Sequence, residues 1–164
     1  MIIILLLQLE MPLLDNTDIK IINLLRKNFR SNASEIAEKI KLSVSTVIER
    51  IKKLENNGII LGYTVMLDNA SIGKDVVAMM SISIEHPKHN EDFEAAVRQN
   101  PHITECYYIA GDFDYLLKVI TDNTKSLEKV LNEIKSLQGV SKTKTNIVFS
   151  SPKNEYSVAL KAKK

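Results

Sequence analysis

The apolar residues of this chain change their period once, at Gly73, and that change constrains the fold more than any other feature. Before Gly73 they recur at three- and four-residue steps, the signature of helices with one buried face. Ile19, Ile22, Leu25 and Phe29 form a first stripe behind Asp15, a residue suited to an N-cap. Ser34 is expected to open a second short helix with Ile36, Ala37 and Ile40 inward. Ser43 opens a third, with Val44, Val47, Ile51 and Leu54 on one face, closed by Asn57 and Gly58. The stretch IILGYTVML (59–67) is rich in β-formers and broken by Gly62, which predicts a small hairpin.

Beyond Gly73 the pattern alternates. VVAMMSISI (76–84) predicts a strand with Ala78, Met80, Ile82 and Ile84 on one face. Asn90 is expected to cap a helix whose inner face is Phe93, Ala96 and Val97. Residues 103–110 and 115–121 predict two strands joined by the turn Gly111-Asp112-Phe113-Asp114. Leu127, Val130, Leu131, Ile134 and Leu137 form a helical stripe that Gly139 ends, and KTKTNIVF (142–149) predicts a last strand. The order β-α-β-β-α-β is the ferredoxin-like arrangement, so the fold class is α+β. The boundaries drawn are an extension (1–13), a helix-turn-helix domain (14–67), a linker (68–75), a ferredoxin-like domain (76–150) and a tail (151–164). Such a sheet covers one face with its own helices. Leu116 and Ile120 on the other face, opposite Tyr115, Leu117 and Val119, predict a homo-oligomer that buries it.

A length of 164 residues excludes a large multidomain enzyme. With 45% hydrophobic and 26% charged residues, the chain has a globular and not a disordered balance. One cysteine, Cys106, excludes an internal disulfide framework, fits a reducing compartment, and is expected to be a buried small hydrophobe. The apolar start MIIILLLQL falls short of the roughly 18 residues a membrane span needs and lacks a secretory cleavage pattern. Residues 1–13 read either as an upstream start before Met11 or as a strand that packs on a partner.

The spacing around the second helix carries the functional signal. A helix-turn-helix needs a small residue where the helices cross, a short turn, and apolar residues that lock the second helix. Ala37, Leu42 and Val47 meet those needs across the turn Lys41-Leu42-Ser43. The outward face of the third helix then carries Ser45, Thr46, Glu49, Arg50 and Lys53, with Ser43 at its start. Short hydroxyls can approach base edges or phosphates, and an arginine can fork to guanine or grip a phosphate. The overall charge of +2 is too weak to argue for DNA, but its distribution is uneven. Residues 14–67 hold nine Lys/Arg against six Asp/Glu, whereas residues 68–164 hold thirteen of each. A solvated helical bundle is the alternative on pattern alone.

Five stretches in order, LDNTDIKIINLL, SEIAEKIKLSVSTVIERIKKLENNGII, LGYTVMLD, AGDFDYLLKV and GVSKTKTNIV, resemble the Lrp/AsnC (feast/famine) family of transcription regulators from Leu14 to about Phe149. Lys41 departs from the pattern, since that family usually has a glycine in the turn; a left-handed lysine costs about 1 kcal/mol relative to glycine. The resemblance implies a winged helix-turn-helix domain that binds double-stranded DNA, joined to a ferredoxin-like domain that senses an amino acid or related metabolite. It also implies cytoplasmic dimers that assemble further, often to octamers, and matches Ser45, Thr46 and Arg50 to recognition-helix positions.

The turn Gly111–Asp114 is the candidate effector site. A free amino acid needs an anion for its ammonium and donors for its carboxylate. Asp112 or Asp114 fits the first need, and the turn amides with Thr143 or Thr145 the second. An ordinary hairpin turn is the alternative, since Gly and Asp are common there. The resemblance favours the effector site, because similar turns in the family line an intersubunit pocket.

No metal site or cofactor is expected. His86 and His89 are separated by Pro87 off any predicted helix, without further ligands in view. No catalytic motif appears. Two other classes stay open: an enzyme acting on haem precursors, which some proteins resembling this family are, and a metabolite-binding module without DNA binding. Arg98 is the only arginine of the second domain, which leaves the enzyme without a basic pocket.

Overall fold

The computed structural model describes residues 14–162, and the expectations for residues 1–13 lie outside them. The chain divides into two compact units. One is built from the residues up to Val65 together with the segment from Glu155 onward; the other spans Met66–Asn154.

The first unit is three helices: α1 (Asn16–Lys27), α2 (Ala33–Ile40) and α3 (Val44–Asn56). Asp15 caps α1 in a full capping box. Its Oδ1 accepts the backbone N–H groups of Thr17 at 2.7 Å and Asp18 at 2.8 Å, and the Asp18 carboxylate accepts the N–H of Asp15 at 3.3 Å. The core is Ile21, Leu25, Ile36, Ala37, Val47 and Leu54. Phe29 is not part of it. Asn28 ends α1, so Phe29 leaves the helical stripe and is 43% exposed.

Helix α2 begins two residues earlier than Ser34 predicts. Asn32 is the cap, accepting the N–H of Glu35 at 2.9 Å while its own amide donates to the Glu35 carboxylate at 3.1 Å. Residues 59–67 form no hairpin. No second strand pairs with them among the described residues, and an extended segment without a ladder partner gains nothing from its β-formers. Leu61, Val65, Met66 and Leu67 are exposed, while the Tyr63 hydroxyl donates to Glu55 at 2.9 Å. Burial and that carboxylate push the Tyr63 pKa up to about 12.

The chain beyond Asn154 packs on α1. The Asn23 side chain bonds both backbone groups of Leu160: its amide donates to the carbonyl at 2.8 Å and its oxygen accepts the N–H at 3.2 Å. Arg26 adds an ion pair to Glu155 at 2.8 Å and a bond to the carbonyl of Ser157 at 3.3 Å.

The second unit is a four-stranded antiparallel sheet covered on one face by two helices. Its elements are β1 (Val76–Ile84), α4 (Asn90–Gln99), β2 (Ile103–Tyr108), β3 (Tyr115–Thr121), α5 (Thr124–Lys135) and β4 (Val140–Ile147), with strand order β2-β3-β1-β4. Ala78, Met80 and Ile82 meet Tyr115, Leu117 and Val119 on the covered face, where Phe93, Val97, Leu127, Val130 and Ile134 complete the core. Asn90 is not the cap of α4: a 3-10 turn over Pro87–His89 runs straight into the helix and puts His89 in the cap position. The opposite face carries Val77, Met79, Leu116 and Ile120, interrupted by Lys118 bonded to Glu105 at 2.9 Å. Cys106 is exposed and not buried, because β2 is an edge strand with a single neighbour.

Candidate DNA interface and effector turn

Helix α3 is set against α2 by Ala37 and Val47, 4% and 0% exposed. The N–H of Leu42 donates to the carbonyl of Ala37 at 3.0 Å and closes the turn. Leu42 does not lock the pair from inside, as the spacing suggested; it is 38% exposed. Lys41 is left-handed, with φ 58° and ψ 50°, and is the sole non-glycine residue with positive φ among those described. The left-handed turn that a glycine would favour is therefore made on a lysine.

Three hydroxyls crown the start of α3. Ser43 Oγ accepts the N–H of Thr46 at 3.1 Å as the N-cap, and shares hydrogen bonds with Ser45 Oγ at 2.9 Å and Thr46 Oγ1 at 2.7 Å. Ser43 and Ser45 are exposed and Thr46 is half-buried. Glu49 and Lys53 are exposed on the turns that follow. At 100° per residue, Ser45 and Glu49 lie opposite Val47, and Thr46 and Lys53 flank them. Val44 and Ile48 form an apolar margin on the other flank, each 41% exposed. Sequence reasoning assigned Val44 inward and passed over Ile48.

Arg50 does not stand free on this face. Its Nη1 donates to Asp15 Oδ2 and to Asp18 Oδ1, both at 2.7 Å. Its side chain is 32% exposed and that of Asp18 16%. The bonds to Asp15 and then Asp18 hold the guanidinium still more firmly protonated than usual. The N–H of Asp18 is the largest influence on the Asp15 carboxyl; with the Arg50 guanidinium and the N–H of Thr17 it outweighs the opposing effect of burial and holds the carboxyl below its ordinary range.

In the second unit, Gly111, Asp112 and Asp114 lie in the β2–β3 connection. Gly111 has φ 149°, which a side chain would resist. Asp112 is exposed. Asp114 is engaged: its Oδ2 accepts the N–H of Ile84 at 2.7 Å, and its own N–H donates to the carbonyl of Ile82 at 2.9 Å. Thr143 and Thr145 are not brought beside this turn within one chain. They pair with Ile82 and Met80, so they share the helix-covered face, and β1 separates β4 from β3. That is two strand spacings, roughly 10 Å. The β4 residue that does reach the turn is Lys142, whose Nζ lies 5.2 Å from the centre of the Phe113 ring.

Comparison with known proteins accounts for both units. Residues 14–60 match a winged helix-turn-helix DNA-binding family and residues 77–158 match the Lrp/AsnC ligand binding domain. The proline dehydrogenase transcriptional activator of Rhizobium radiobacter is 36% identical over 85% of this chain and 92% of its own length. The leucine-responsive regulatory protein of Haemophilus influenzae is 33% identical over 90% and 91%. A transcriptional regulator from Neisseria meningitidis, solved with L-Met, superposes with a TM-score of 0.84 at 33% identity, covering 88% of this chain and 96% of that one. Escherichia coli AsnC superposes at 0.82 with 27% identity over 90% and 99%. With a helix-turn-helix in one unit and a ferredoxin-like sheet in the other, the chain belongs to the Lrp/AsnC family of DNA-binding transcriptional regulators.

Proposed function

We propose that this regulator reads double-stranded DNA with Ser43, Ser45, Thr46, Glu49 and Lys53 of α3, and that an amino acid bound at the Gly111–Asp114 turn changes its assembly or its affinity for DNA. The observation that carries the first half is the hydroxyl trio, with Ser43 and Ser45 exposed and Thr46 half-buried, on a helix anchored from beneath by Val47. Hydroxyls and a lysine on the outward turns suit base edges and phosphates, and the apolar margin at Val44 and Ile48 suits thymine methyl groups.

The effector half is supported by the L-Met held by the Neisseria regulator and by the leucine response in the names of several relatives. Asp112 offers an exposed carboxylate for an ammonium group, and Lys142, one residue before Thr143, offers a cation for a carboxylate beside the Phe113 ring. Asp114 holds the turn in place and is less suited to the ligand itself. A second copy of the chain, meeting the uncovered face of the sheet, completes the pocket beside Asp112 and Lys142; Thr143 and Thr145, turned to the helix-covered face, are less suited to it.

Self-association through the uncovered sheet face gives the dimer, and dimers give higher assemblies. No described helix is long and apolar enough to cross a membrane, and a DNA partner implies the cytoplasm. The relatives are regulators, and no catalytic step is proposed.

The test is selection of duplexes from a random pool by the full chain, followed by gel shifts with and without each amino acid. Enrichment of a two-fold symmetric sequence whose binding shifts with one amino acid is the expected result. No enrichment removes the DNA half. Enrichment without any amino-acid response in affinity or in sedimentation removes the effector half.

A further inference from the structure

We propose that Arg50 is a positioning residue that fixes the DNA-reading helix on α1, and is not itself a DNA contact. The proposal rests on the reading of α3 given above. One guanidinium nitrogen bridges Asp15 Oδ2 and Asp18 Oδ1 at 2.7 Å each. The remaining oxygens of the two carboxylates are occupied as well. Asp15 Oδ1 caps the start of α1, and Asp18 Oδ2 accepts the N–H of Asp15. Both carboxylates are thus fully engaged, and the network joins the first turn of one helix to the middle of another 35 residues along the chain.

The charge balance points the same way. Two carboxylates face one guanidinium, so the cluster carries a net negative charge. A phosphate drawn to Arg50 would also feel the carboxylates of Asp15 and Asp18, whose repulsion offsets part of the attraction. The arginine also lies 300° around the helix from Val47, on the flank that faces α1 and not on the outward arc of Ser45 and Glu49. A half-buried pair of this kind is screened less than a surface pair, and its geometry sets where the helix sits. Base readout depends on placing side chains to within a fraction of an ångström, so the helix needs such a fastening. Sequence specificity is then exposed to a contact that never touches a base.

The experiment compares the full chain with Arg50→Gln, Arg50→Lys and the double change Asp15→Asn with Asp18→Asn. The asparagine at 15 keeps the N-cap while removing the charge. Each protein is titrated against the duplex selected by the unchanged chain and against a scrambled duplex, over a series of salt concentrations. For Arg50→Gln and the double asparagine variant, affinity for the selected duplex is expected to fall about tenfold, a 1.4 kcal/mol change. Affinity for the scrambled duplex is expected to hold, with an unchanged salt slope. Arg50→Lys should recover part of the specific affinity. A merely destabilised protein would lose both affinities together, so the ratio of the two isolates helix placement from folding.

Three results overturn the proposal. Tighter binding by the double asparagine variant would mean that a freed Arg50 grips DNA. A salt slope lowered by about one in Arg50→Gln would mean that it already does. Equal loss on both duplexes would also overturn it, by reducing the contact to general stability. If Ser45→Ala combined with Lys53→Ala leaves the selected-duplex affinity intact, the failure lies in the reading of α3 and not in the clamp.

Discussion

The carboxylate of Asp114 accepts the backbone N–H of Ile84 at 2.7 Å, fastening the turn before β3 to the end of β1. The bond fills a donor that the ladder leaves over, since the β1–β4 register shifts between Ser83 and Ile84. Asp114→Ala would strand that half-buried N–H, and we expect a loss of about 1–3 kcal/mol in the urea unfolding of the sheet unit. Asp114→Asn keeps an acceptor oxygen and should recover most of it. Equal losses would mean that the charge, not the bond, matters here.

Lys41 gives a test of opposite sign. Its left-handed backbone costs roughly 1–2 kcal/mol, part of which glycine would return as greater freedom of the unfolded chain. Lys41→Gly is therefore expected to stabilise the helical unit by about 0.5–1 kcal/mol, read as a higher Tm. A lower Tm would show that the lysine side chain contributes more than its backbone strain takes away.

The Asp15 carboxyl supplies a pH dependence. Its pKa is lower in the folded chain than in the unfolded one, so its contribution is complete above the ordinary value of 3.8. That contribution is lost as pH falls below 3.8 and through the depressed folded value. The urea midpoint should drop as pH falls from about 4 to about 2 in the unchanged chain, and drop less in Asp15→Asn. Parallel curves for the two proteins would assign the acid sensitivity to other groups.

Gly139 is fixed by two independent demands. Its φ is +86°, and a Cβ there would come within 2.5 Å of the His89 ring. Gly139→Ala should cost at least about 2 kcal/mol in unfolding free energy. Because the Cβ of His89 also lies 2.6 Å away, adding His89→Gly, which removes it with the ring, should recover the steric part and leave the backbone part. Full recovery would mean that the backbone conformation relaxes freely.

The order of elements and the composition of both cores were legible in the sequence because burial imposes a period on each segment. Val47, Met80 and Leu117 sit where a helical or alternating stripe requires, whereas the fully buried Ile21 takes the inward place that the stripe through Ile22 assigns to its neighbour. The misplaced ends have local causes. Asn32 with Glu35 three residues later is a better helix start than Ser34, a reciprocal pairing open to inspection in the sequence. The site was less legible. Period says which residues of β4 share a face, but not whether the threonines or the lysines turn towards Gly111–Asp114. Parity placed Lys142, not Thr143, against Phe113. The ion pairs of Arg50 were not legible at all, because Asp18 and Asp15 lie 32 and 35 positions away and only the folded chain brings them together.

The chain leaves the helical unit after Val65 and returns to it at Glu155, so both of its described ends belong to one body and residues 66–154 form an insertion within it. A protease that cuts once in the first crossing would separate the polypeptide into two pieces without freeing the helices. The carboxy-terminal piece still carries the segment that Asn23 and Arg26 grip. The nicked protein would run as two bands in detergent and travel as one particle in buffer, its halves joined by the last ten residues.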